Sequence, residues 1–108
     1  MSCDVQFGGF GYWSVRCNAF SELMDRAVRN TEDKAVMDIL AFAKVCGDLN
    51  VFRYPEGDLR QEMVSALLRA AQEWVGELSG EPDDGTIASI EHLIAIANAV
   101  LGEARSDS

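Results

Sequence analysis

Three cysteines, one histidine and a run of carboxylates are the side chains of this 108-residue chain best suited to chemistry. Cys3, Cys17 and Cys46 stand at spacings of 14 and 29, which match no zinc module. Met1 is followed by Ser2-Cys3-Asp4 rather than by a basic patch and an apolar run. With an odd number of thiols, this predicts free cysteines in a reducing cytoplasm. His92 is the only histidine. Acid–base or metal chemistry needs partners, yet Glu91 projects about 100° away around a helix. No Glu-x-x-His or His-Glu-x-x-His spacing occurs. The expectation is a partly buried helical histidine. No Ser, Cys or Thr lies in a nucleophile motif, so no catalytic residue is assigned.

Two glycine-containing segments invite ligand readings, and both fail. Gly9-Phe10-Gly11 has Ser14 where a dinucleotide fingerprint needs its third glycine, and no Walker lysine follows. The loop before the last helix resembles the back half of a calcium loop: Gly85 at the turn, Ile87 at the apolar position, Glu91 as the bidentate carboxylate and Asp84 at the fifth position. Its first and third ligand positions are Gly80 and Pro82, which offer no carboxylate. A cation needing six to eight oxygens is undersupplied. No cofactor and no metal is expected.

The carboxylates are more informative. Net charge is −9; residues 1–54 hold seven acids against six bases, and residues 55–108 hold eleven against three (Arg60, Arg69 and Arg105). Direct nucleic-acid binding is disfavoured, because phosphate contacts need clustered Lys and Arg. Glu73, Glu77, Glu81, Asp83, Asp84 and Glu91 form a run with no base among them. Glu73 and Glu77 stand one helical turn apart and repel by about 0.2–0.5 kcal/mol. That cost argues that negative charge is wanted there, for a basic protein partner. The competing reading is a solvated face that only keeps the chain soluble.

These groups must be positioned by a mostly helical chain. In residues 1–17, Val5-Gln6-Phe7 and Tyr12-Trp13-Ser14-Val15 flank Gly8-Gly9-Phe10-Gly11, predicting a short β-hairpin or an extended arm. Phe10, Tyr12 and Trp13 are expected to be exposed there, where the fold is thin. Helices are expected at about 19–29, 32–46, 58–78 and 86–105, with Asn18, Thr31, Asp58 and Thr86 at their starts. The second carries Val36, Ile39, Leu40, Ala43 and Cys46, widened by Met37 and Phe42, and so is expected to be central. The third carries Met63, Leu67, Ala70, Ala71, Trp74 and Leu78, with Trp74 assigned to the core. In the fourth, Ile87, Ile90, Ile94, Ala97 and Leu101 recur at heptad-like spacing, and Leu93, Ile96 and Val100 fill a second face. The uncharged stretch from Leu93 to Gly102 is about half a membrane span.

The expected fold is all-α: a compact four-helix single domain with a short N-terminal β-hairpin or arm. The expected function is non-enzymatic, a small acidic inhibitor that blocks a basic, nucleic-acid-handling partner by charge mimicry. An immunity protein against a nuclease toxin and a phage anti-defence (anti-CRISPR) protein are of this type. Glu73, Glu77, Glu81, Asp83 and Asp84 would fill a groove built for phosphates, and Tyr12 and Trp13 would anchor the contact. The alternative is a homodimeric regulatory or structural helical domain, joined through Ile87, Ile90, Ile94 and Leu101.

Overall fold

The computed structural model describes residues 2–80 and 85–106. The chain begins with β1 (Ser2–Gln6), a 3-10 turn (Gly8–Phe10) and β2 (Tyr12–Arg16). Side chains alternate across this hairpin: Cys3, Val5 and Trp13 point into the core, while Ser2, Gln6, Tyr12 and Ser14 face out. The turn depends on Gly8, which has φ +59° and lies so close to the Phe52 ring that a Cβ would collide with it.

Four helices follow: α1 (Cys17–Arg29), α2 (Lys34–Cys46), α3 (Asp58–Leu78) and α4 (Thr86–Ser106). α1 starts at Cys17, two residues before the expected Ala19, because the chain turns directly out of β2. Asn18 does not cap it; the cap residue is Arg16, in extended conformation. α2 starts two residues later than expected. Its cap is Asp33, whose carboxylate accepts from the Ala35 and Val36 N–H groups. Thr31, expected in that role, is buried; its hydroxyl accepts from the Asp33 N–H and donates to Glu62. α3 follows a Gly57 cap, with Asp58 as its first helical residue.

The expected hairpin is one part of a three-stranded sheet, order β2-β1-β3. β3 (Asp48–Asn50) falls in what the sequence presents as a connector, and it pairs in parallel with β1. It buries Leu49 against Val5 and so gives the hairpin the third strand it needs for stability. The fold is therefore mostly helical, four helices with a small N-terminal sheet.

The core lies between the sheet's inner face and α1, α3 and α4. Phe7, Trp13, Phe20, Leu23, Met24, Met63, Leu67, Ile90 and Leu93 are its largest fully buried side chains nearest this junction. Trp13 is 2% exposed, and its indole N–H donates to the Ser89 carbonyl of α4 at 2.9 Å. α4 packs mainly on α3, with β2 and the 3-10 turn beside it. Its apolar girth is thus enclosed within the chain. α2 is peripheral rather than central: Val36, Leu40 and Ala43 dock chiefly onto α1, while Phe42 and Val45 point outward.

The expectation of three free thiols is also corrected. Cys3 and Cys17 form a disulfide with Cα atoms 5.1 Å apart, stapling β1 to the start of α1; Cys46 is free and exposed. The bridge closes a loop of 14 residues, and such a closure contributes about 3 kcal/mol. Cys3→Ser with Cys17→Ser is expected to lower the unfolding free energy by about that amount, measured by urea denaturation. An unchanged midpoint would show that the bridge contributes nothing.

Candidate protein-binding surface

The acidic pair expected to face a partner instead faces Arg26. This residue is on α1 between Leu23 and Ala27, and it is only 8% exposed. Its Nε donates to Glu22, one turn earlier, at 2.9 Å. Its terminal nitrogens form a fork onto Glu77 at 2.6 and 2.9 Å, and one of them also donates to Glu73 at 2.9 Å. The planar guanidinium lies over the Trp74 ring, 5.6 Å from its centroid. Asn30 extends the cluster by donating to Glu73 and to the Arg26 carbonyl. Lysine could not do this: its ammonium has three donors and no fixed fork, and Arg26 makes four hydrogen bonds to the three carboxylates.

The electrostatics follow from that geometry. The hydrogen bonds and charge of Arg26 hold the Glu77 carboxyl below its ordinary value, and Glu77 with Glu22 raises the Arg26 guanidinium. The side-by-side placement of Glu73 and Glu77 is thereby explained without any partner. Arg26 on the facing helix meets both, with Arg29 3.9 Å from Glu73 as a second cation.

Of the four expected binding residues among the described residues, Glu73 and Glu77 are brought together. Glu81, Asp83 and Asp84 lie outside the described residues. Trp13 belongs to the core, and an indole this deeply covered has almost no surface to offer a partner. Tyr12 is exposed on the sheet's outer face, beside Gln6, which has Asn50 on its other side. On α4, Ile90 and Leu101 are buried and Ile87 and Ile94 half-buried, so the stripe read as a dimer seam packs largely within the chain. His92 and Asn98 are exposed on α4, not partly buried as expected for the histidine. A cleft of about 200 Å³ is lined by Phe10, Phe52, Arg60, Val100 and Leu101, and His92, Asn98 and the cysteines are not in its wall.

A different surface stands open. Phe42 is 69% exposed and Val45 84% exposed, both on the face of α2 opposite Val36, Leu40 and Ala43. Asp38 lies one turn before Phe42 on the same face, and Asp48 follows the helix. Glu32 and Asp33 are exposed at its other end. None of these four carboxylates forms an ion pair among the described residues. Lys44, the cation nearest the helix's C-terminal end, is held by Asp25 at 2.9 Å. The result is an apolar centre with Asp38 beside it, carboxylates at both ends of the helix, and Lys34 one turn before Asp38. Sequence reasoning placed Phe42 in the core stripe; the signal against that reading was that Asp38, Phe42 and Val45 share a side facing away from Val36, Leu40 and Ala43.

No family model, curated protein or solved structure matches the chain.

Arg26→Met leaves three carboxylates without their cation, and it is expected to cost about 2 kcal/mol because the acids remain partly wetted. Glu77 has a lowered value when folded, so its contribution is present above the unfolded carboxylate pKa and is lost as pH falls through the folded one. The gap in stability between wild type and Arg26→Met is therefore expected to be widest near neutrality and to narrow below about pH 4. Thermal unfolding across that range measures it. A gap independent of pH would place the effect in packing alone.

Proposed function

We propose that this chain is a non-catalytic, acidic protein-binding domain that docks on a basic, nucleic-acid-handling partner and blocks it, as an immunity protein or an anti-defence protein does. The single observation carrying this reading is the outer face of α2. Phe42 and Val45 supply an apolar anchor with Asp38 beside it, Asp48 follows the helix, and Glu32 lies at the helix's far end with Lys34 on the same face. An anchor inside a charged rim is the usual anatomy of a binding hot spot. The net charge of −9 selects for a basic surface opposite and steers the encounter.

Charge mimicry through Glu73 and Glu77 is support of a lesser kind, since Arg26 already neutralises much of that pair. Reversing their charge would damage the α1–α3 contact and would not isolate binding. Variants on α2 avoid this difficulty, because Phe42 and Val45 carry little of the core.

The test is affinity capture from the lysate of the native or host cell, eluted by a rising salt gradient and repeated with Phe42→Ser/Val45→Ser and with Tyr12→Ser. The expected result is a basic nucleic-acid-handling protein retained by wild type and by Tyr12→Ser, and weakened at least tenfold by the α2 double variant. Equal retention by all three would contradict docking on α2. Recovery of the chain alone would favour self-association.

A further inference from the structure

The three cysteines lie closer in space than in sequence. Parallel pairing sets Asp4 beside Asp48, so Cys3 continues that register beside Gly47, the residue after Cys46. Gly47 ends α2 in the left-handed region with φ +82°, and its N–H donates to the Ala43 carbonyl at 2.8 Å. A Cβ at Gly47 would sit 3.3 Å from the Cys3 sulfur. With adjacent Cα atoms 3.8 Å apart, the Cys46 Cα is within about 9 Å of that sulfur. Cys46 is exposed and unbonded, and it occupies the last helical position of α2, where helices fray.

We infer that Cys46 and the Cys3–Cys17 bridge form an internal thiol–disulfide exchange site. The Cys46 thiolate attacks the Cys3 sulfur and forms a Cys3–Cys46 bond. The Cys3–Cys17 bond breaks, and its electron pair leaves on the Cys17 sulfur, which takes up the proton that Cys46 gave up. No external oxidant or reductant is consumed. Cys3 is the sulfur attacked because it is the one beside Gly47; it is 4% exposed, so the attack takes place when the frayed end of α2 opens over it. Cys17 is a suitable leaving group, since it is the first residue of α1 and unsatisfied helix N–H groups favour negative charge there.

The exchange moves a covalent staple from the β1–α1 junction to the β1–α2 junction. It fastens the end of the helix that carries Val45 and releases a thiol at the start of α1. The site is independent of the binding proposal, and it stands or falls on sulfur chemistry alone.

The oxidised full-length chain is held at pH 8.5 for several hours at two concentrations tenfold apart. It is then acid-quenched, labelled with N-ethylmaleimide and mapped by peptide mass spectrometry. Label on Cys17 together with a Cys3–Cys46 peptide is expected at both concentrations, with Cys17 labelling at least tenfold above that of Cys46→Ser. As a second arm, Cys17→Ser treated with glutathione disulfide is expected to form a monomeric Cys3–Cys46 bridge. Label confined to Cys46, with Cys3–Cys17 the sole bridge and no monomeric bridge in Cys17→Ser, overturns the inference. Exchange seen only at the higher concentration overturns it too, because that reaction is intermolecular.

Discussion

The guanidinium of Arg26 is the contact on which the arrangement of this chain turns. A chain with a net charge of −9 and most of its acids in one half must bring α3, bearing Glu73 and Glu77, against α1, bearing Glu22. Three carboxylates meet at that seam, and Arg29 reaches only Glu73, at 3.9 Å. Arg26 takes all three, lies across Trp74 and keeps its charge at every relevant pH. The helices on either side can then close over Phe20, Leu23 and Leu67. The same contact decides what α3 can offer a partner. Carboxylates already committed to a guanidinium make poor mimics of free phosphates.

That leaves the binding surface to be sought where apolar side chains remain uncovered. α2 docks with one stripe and has a second, exposed stripe at Phe42 and Val45. Phe42 and Val45 are its large apolar side chains, 69% and 84% exposed. The end of that helix also carries Cys46 and abuts the bridge through Gly47. Anchor and thiol thus share one helical turn.

Much of this was legible in the sequence, and the failures have separate physical causes. The helices were visible because apolar stripes such as Met63, Leu67, Ala70 and Ala71 repeat with the helical period; α3 matches its expected span and α4 ends within a residue of it. The start of α2 slipped by two residues because Thr31 and Asp33 both carry capping oxygens, and long-range bonding to Glu62 drew Thr31 away. β3 is three residues long, too short to show a period. Phe42 was misassigned because α2 is apolar on two sides, and periodicity cannot say which one the core takes. Arg26 escaped notice because an ion pair across 51 residues has no local signature. The disulfide was missed because spacing was counted along the chain, whereas the hairpin folds Cys17 back beside Cys3.

The most direct test of the central claim is a double-mutant cycle on Arg26 and Glu77, read by equilibrium unfolding of wild type, Arg26→Met, Glu77→Gln and the pair. If Arg26 organises the seam, the two substitutions are strongly non-additive, and the double variant loses much less stability than the sum of the singles. If the losses simply add, the carboxylates do not depend on Arg26. Glu73 and Glu77 would then return as the partner-facing surface.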